Sequence, residues 1–285
     1  MTRALPEPET FLSGETGHVA GARRTLLRTT GDRALDLWLE TSARRLDRLA
    51  AATPRRRVLV LSVYRPASTH IEAAVAELTR TRHDIRLALG SIGPAADALK
   101  ANTAAAHLDG GKFQNLNALL PDEAEYDWLL VVDDDVGLPQ HFLDRFVAIC
   151  ERFDLALAQP AQTLMSHAAW RVTRRRAGSL LRETRFVEIG PVTAFRRNAA
   201  AHLTPFPELR YGWGLDLHWG AVAAQQGWRL GVVDALPVKH EGAPVATAYR
   251  HEDAIEEARA FLAERPFVRA DEAQQTLARH WSLAR

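Results

Sequence analysis

The chain has little of several things. Among its 285 residues there is one cysteine, Cys150, which excludes an internal disulfide framework and any multi-cysteine metal site. A reducing, cytoplasmic setting is the expectation that follows. Of 36 basic residues only Lys100, Lys112 and Lys239 are lysines, so the place of each lysine is informative. Apolar runs such as Trp128–Val132 reach about five residues, far below the ~20 that span a bilayer, and no transmembrane segment is expected. The opening Met1-Thr2-Arg3-Ala4-Leu5-Pro6 lacks the apolar stretch of a secretory leader. A net charge of +1 gives no global field to draw in nucleic acid. What is present, 47% hydrophobic and 25% charged residues, is the balance of a globular protein with a sizeable core.

Along the chain, residues 1–54 read as an irregular start followed by an amphipathic helix. Asp32 serves as its N-cap, and Leu35, Trp38, Leu39, Leu46 and Leu49 recur at helical spacing. That helix packs on the main domain or offers a surface for homodimerisation or for a membrane face. Residues 55–250 alternate between strand and helix. Strands are read at Val58–Tyr64, Ile85–Leu89, Trp128–Val132, Leu155–Gln159 (stopped by Pro160) and Leu230–Val233. Helices are read at Thr69–Thr79, Phe113–Leu120, Gln140–Arg152 and Asp216–Gln226. The alternation predicts an α/β fold with a mainly parallel sheet flanked by helices. Short strands are expected at Phe186–Ile189 and Val192–Phe195, and a solvated loop or lid over the arginines from Arg171 to Arg185. Residues 251–285 read as a helical tail packing on the domain, with helices at Glu252–Leu262 and Asp271–His280.

Chemistry concentrates at Asp133-Asp134-Asp135, which follows the most apolar strand. Ligands of open parallel sheets bind just beyond the carboxyl ends of strands. Adjacent carboxylates repel unless a cation neutralises them, and oxygen ligands suit Mg2+ or Mn2+. Strand alternation sets Asp133 and Asp135 on one side, a D-x-D pair able to hold an ion that also binds a diphosphate. An acidic turn without a ligand is the plainer alternative. Gly110-Gly111-Lys112 begins no phosphate loop, because Phe113 follows. The glycines do allow close approach to a ligand, with donors from Lys112 and Asn115. Tyr211-Gly212-Trp213-Gly214-Leu215-Asp216 reads as a tight turn into a helix whose first turn carries Asp216, as cap or as general base. His240 stands alone near the end of a strand.

In their order and spacing these segments resemble the GT-A class of nucleotide-sugar-dependent glycosyltransferases, family 2-like, over about residues 57–245. They are also similar to a glycosyltransferase-like family of plants and bacteria, through DDDVGLPQHF, ALAQPA, VEIGPV, GWGLD and GVVDALPVKH. The resemblance implies a GT-A fold and a metal-dependent transfer of sugar from a nucleoside-diphosphate donor of UDP or GDP type to a carbohydrate or other hydroxyl acceptor. It implies that Asp133 and Asp135 hold Mn2+ or Mg2+ with His240 as a further ligand, and that Asp134 lies near the donor. Lys112 and Asn115 would touch the nucleoside, and Tyr64 and Arg65 the base. Asp216 would take the proton from the acceptor, with inversion; the usual Glu-Asp pair is replaced by Leu215-Asp216. Glu188 and Trp213 are the acceptor candidates, a carboxylate for hydroxyls and an aromatic face for stacking. A metal-dependent phosphatase or hydrolase, or a catalytically silent nucleotide-sugar-binding module, are the alternative functions.

Overall fold

Strand β4 (Trp128–Val132) is buried on both faces, and the sheet is built outward from it. The computed structural model describes residues 4–13, 22–121, 125–241 and 249–283. Helix α1 (Ala22–Ala52) leads into β1 (Arg57–Tyr64), α2 (His70–Leu78), β2 (Asp84–Ser91), β3 (Thr103–Ala105) and α3 (Lys112–Asn117). After β4 come β5 (Val136–Gly137), α4 (Phe142–Arg152), β6 (Leu155–Gln162), β7 (Leu181–Thr184), β8 (Val192–Arg196) and α5 (Arg197–Leu203). The chain continues through α6 (Leu215–Gln226), β9 (Arg229–His240), α7 (His251–Ala263), α8 (Ala270–Ala273) and β10 (Thr276–His280). Among the described residues, ten strands form a sheet of order β10-β7-β9-β6-β8-β4-β1-β2-β3, with β5 paired to β9. Along that path only β8 and β7 run against the rest.

Alternation along the strands divides the core into two layers. Val58 and Val60 of β1, with Leu130 and Val132 of β4, pack under α4 against Phe142, Phe146 and Ile149. Leu59, Leu61, Leu129 and Val131 face the other way, toward Phe113 of α3 and Trp219 of α6. Trp219 meets Phe195 and Phe113 edge-on, with ring centroids 5.0 and 5.9 Å apart. No helix among the described residues is long and apolar enough to cross a membrane.

Several sequence expectations are corrected. Helix α1 begins ten residues before Asp32, because Ala22–Thr30 is rich in helix-forming Ala, Leu and Arg. Asp32 lies inside that helix, and its carboxylate accepts the backbone N–H groups of Leu164 and Met165. Of the expected irregular start, residues 14–21, with Gly14, Gly17 and Gly21, lie outside the described residues. Strand β6 continues through Pro160 to Gln162. Its pairing with β8 ends at Ala158, and the register with β9 shifts beyond Pro160, so the missing N–H disturbs little. Likewise β9 passes Pro237 and reaches His240. Phe186–Ile189 is not a strand; the strand precedes it, at β7.

The arginine-rich segment is only partly solvated: Arg171, Arg176 and Arg185 are exposed, but Arg175 and Arg182 are buried. Arg182 is 2% exposed and forks onto Asp234 at 2.8 and 2.9 Å. Arg175 reaches Asp32 at 3.0 Å and Asp36 at 2.8 Å, tying this segment to α1. Past α7, among the described residues, the tail is helical only at Ala270–Ala273. Thr276–His280, expected as helix, is an edge strand paired antiparallel to β7.

Candidate active site

Asp133–Asp135 form a turn just beyond β4, outside the strand whose alternation was expected to align them. Two pairings bring them to their partners. Strand β8 runs antiparallel to β4, and the Asp133 N–H donates to Pro191 O at 2.8 Å, which sets Gly190 against the Asp133 side chain. A Cβ on Gly190 would lie 2.5 Å from Asp133 Oδ2, so the approach requires glycine. Strand β5, straight after the turn, pairs with the end of β9 in the register Val136↔His240. That register carries His240 to the acids, and its Nε2 lies 3.0 Å from Asp135 Oδ1.

Ligand atoms of Asp133, Asp135 and His240 thus fall within 4.8 Å of one another. Two carboxylates and one imidazole fit a divalent ion such as Mn2+. Burial opposes charging His240, but the hydrogen bond with Asp135 and the charges of Asp135, Asp133 and Glu188 outweigh it, and its pKa is raised. Burial also opposes ionising Asp135, yet His240 and then Arg65 and His167 hold it below the usual carboxylate range. The His167 ring lies tilted against that of His240 with centroids 3.7 Å apart, and the Ser166 hydroxyl accepts the His240 backbone N–H at 3.0 Å.

Asp134 turns to a different partner. Arg65 grips it from Nε at 2.9 Å and Nη2 at 2.8 Å, while the Arg65 backbone N–H donates to the same carboxylate at 2.9 Å. The Tyr64 hydroxyl is 2.8 Å from Thr103 Oγ1 and accepts the Ala96 N–H at 3.1 Å. The Asn115 side chain accepts from Gly110 N and donates to Gly110 O, bracing its own loop.

A cavity of about 780 Å³ opens beside the triad. Its wall includes Lys112, Asp133, His240, Glu188, Trp213 and Asp216, but not Tyr64, Arg65, Asn115, Asp134 or Asp135. Gly212 and Gly214 both have positive φ, +76° and +84°, which lets the chain turn sharply into α6 and sets Asp216 in its first turn. Asp216 is 5% exposed. Burial, and then the nearby Glu188, push its carboxyl up to about 8. Withdrawal from water likewise lifts Glu188 to about 7, although Gln162 Nε2 donates to it at 2.7 Å. Both pKa values lie near neutrality, where a group can accept or release a proton at working pH.

Sequence reasoning missed His167, Gln159, Gln162, Tyr211 and Tyr249. The two glutamines had a signal: amides inside an otherwise apolar strand need a purpose, and both are buried at 0 and 1% exposure. Gln159 Oε1 accepts the Glu188 N–H. Tyr249 accepts the Trp213 indole N–H at 3.0 Å and packs on Tyr211. Nothing in the local pattern marked His167.

No family model matches the chain, and no curated protein matches it in sequence. Solved structures do. GalNAc-T7, solved with UDP, GalNAc and Mn2+, aligns over 66% of this chain and 44% of its own at 12% identity and a TM-score of 0.51. A mycobacterial protein aligns over 90% of this chain and 84% of its own at 14% identity and a TM-score of 0.50. A mannosyltransferase from Pyrobaculum calidifontis, solved with GDP-Man and Mn2+, gives 17% identity over 74% of this chain, at a TM-score of 0.47. The chain spans 65% of that mannosyltransferase and 44% of GalNAc-T7. The chain has the GT-A fold, as the order of its segments implied.

Proposed function

We propose that the chain is a metal-dependent hexosyltransferase that moves a sugar from a UDP- or GDP-type donor to a carbohydrate or other hydroxyl acceptor. One observation carries this reading: Asp133, Asp135 and His240 converge within 4.8 Å beside a cavity that also holds Asp216 and Glu188. In this reading Asp133, Asp135 and His240 hold Mn2+ or Mg2+, which when bound disperses charge on the leaving diphosphate. Asp216 takes the proton of the acceptor hydroxyl, whose own pKa lies far above 7. Glu188 accepts acceptor hydroxyls and Trp213 offers a stacking face. With Asp216 as the base and Glu188 binding acceptor hydroxyls, neither carboxylate serves as a nucleophile toward the donor, and this supports inversion at the anomeric carbon.

Asp134 with Arg65, Tyr64, and Asn115 with Gly110 shape the donor side of the site in this reading, and Lys112 lies at its diphosphate. The test is release of UDP or GDP from a panel of nucleotide sugars, with and without Mn2+, followed by NMR of the product anomer. Metal-dependent release with inverted product supports the reading; phosphate released from simple esters without a nucleotide sugar contradicts it.

Pairing of two copies through α1 belongs to the same proposal. Leu27, Thr30, Ala34, Leu37 and Thr41 are all exposed and follow one another at spacings of three and four, the pattern of a helix–helix seam.

A further inference from the structure

The acid cluster carries a cation of its own. Lys112 Nζ lies 2.6 Å from Asp133 Oδ1 and donates to Ile189 O at 2.6 Å. A Cβ on Gly190 would stand 3.3 Å from that nitrogen as well as 2.5 Å from Asp133 Oδ2, so ammonium and carboxylate share a slot that only glycine leaves open. Asp135 is paired differently, with His240 at 3.0 Å and Arg65 at 3.8 Å. The two metal-fitting carboxylates therefore have separate partners, Lys112 for Asp133 and His240 with Arg65 for Asp135. A divalent ion that takes both must compete with Lys112 for Asp133, because like charges a few ångströms apart repel. Lys112 is on the cavity wall, and the chain's other lysines, Lys100 and Lys239, are not. Its four-carbon stem is flexible and its ammonium is a good partner for a phosphate oxygen.

Resting on the reading above, we propose that Lys112 is a resident counter-charge: it balances Asp133 in the empty site, yields that carboxylate to the ion, and moves onto the diphosphate that the ion brings. Two opposite effects follow from one side chain. Lys112 weakens binding of the ion alone and strengthens binding of the ion together with a diphosphate. A lysine that merely braces Ile189, or that touches only the nucleoside, has neither effect on ion and pyrophosphate.

The test uses Lys112→Gln and Lys112→Arg in the full chain, with melting temperatures to verify folding. Binding of Mn2+ alone is followed by the loss of its free-ion EPR signal. Binding of inorganic pyrophosphate, the part common to UDP and GDP, is then measured by calorimetry at saturating Mn2+. K112Q is expected to bind Mn2+ about tenfold more tightly than the wild type, on the scale of one removed unit charge. It is expected to bind pyrophosphate at least tenfold more weakly, whereas K112R stays within about threefold of the wild type in both. Unchanged or weaker Mn2+ binding by K112Q, or unchanged pyrophosphate binding, overturns the proposal while leaving the metal site standing. A wild type that takes up no Mn2+ even with pyrophosphate overturns the metal reading and this one together.

Discussion

Gly190 shows how much of the site rests on single positions. Its missing Cβ leaves room for both Asp133 Oδ2 and Lys112 Nζ. Gly190→Ala is expected to push Asp133 out of line and weaken Mn2+-dependent nucleotide binding by about tenfold or more, as a calorimetric titration would report. Asp216 offers a second test with a definite sign. Folded, its carboxyl is pushed up to about 8, against an ordinary 3.8 in the unfolded chain. Between those values the native state keeps a proton that the unfolded state has lost, so this group lowers stability as pH rises from about 4 toward 8. Asp216→Asn removes that penalty. Scanning calorimetry without metal should find the variant more stable than the wild type at pH 8, on the order of a few kcal/mol, and no different near pH 4. The same variant should lose about 10²–10⁴-fold in turnover with donor affinity largely kept. Equal loss of both would refute its role as base. The acids, His240 and Asp216 stood out in sequence because each broke an apolar or glycine-rich pattern. His167 and Tyr249 did not, since only tertiary pairing brings them to the cavity.

At the scale of elements, the buried strands were legible and their ends were not. Continuous apolar residues mark β1 and β4 because both faces are covered. Pro160 suggested a break, but β6 passes through it, and β9 runs through Pro237 well beyond the expected Val233; that extra length is what delivers His240. The arginine run misled because charge alone does not reveal a buried partner. Asp234, on β9, takes Arg182 at 2.8 Å with both side chains almost wholly buried. Asp234→Ala strands that guanidinium and is expected to cost about 3–5 kcal/mol in urea unfolding. A cost below about 1 kcal/mol would show the pair to be dispensable. Thr276–His280 carries no strand signal, because an edge strand of alternating exposure depends on the neighbour that β7 supplies.

Across the whole molecule, the sheet brings distant segments to one place. The turn after β4, the end of β9, the loop before β8 and the start of α6 all meet at the cavity. That convergence of α/β strand ends was foreseeable from the alternation of elements. Elsewhere, α1 packs Leu46 and Ala50 into the core while Leu26, Leu27 and Leu37 stay 65–73% exposed. If copies pair through this face, Leu37→Glu should halve the mass seen by light scattering at micromolar concentration; an unchanged mass contradicts pairing there. The central proposal, that Asp133, Asp135 and His240 would hold a divalent ion for a nucleoside diphosphate, is tested most directly by thermal melting with UDP and GDP, each with and without Mn2+, in the wild type and in Asp135→Ala. A ligand that binds only the native state raises the melting temperature. The account predicts a rise of several degrees with one nucleotide plus Mn2+, little with either alone, and none in Asp135→Ala. A wild type that melts at the same temperature under every condition, or a variant that shifts as much as the wild type, would contradict it.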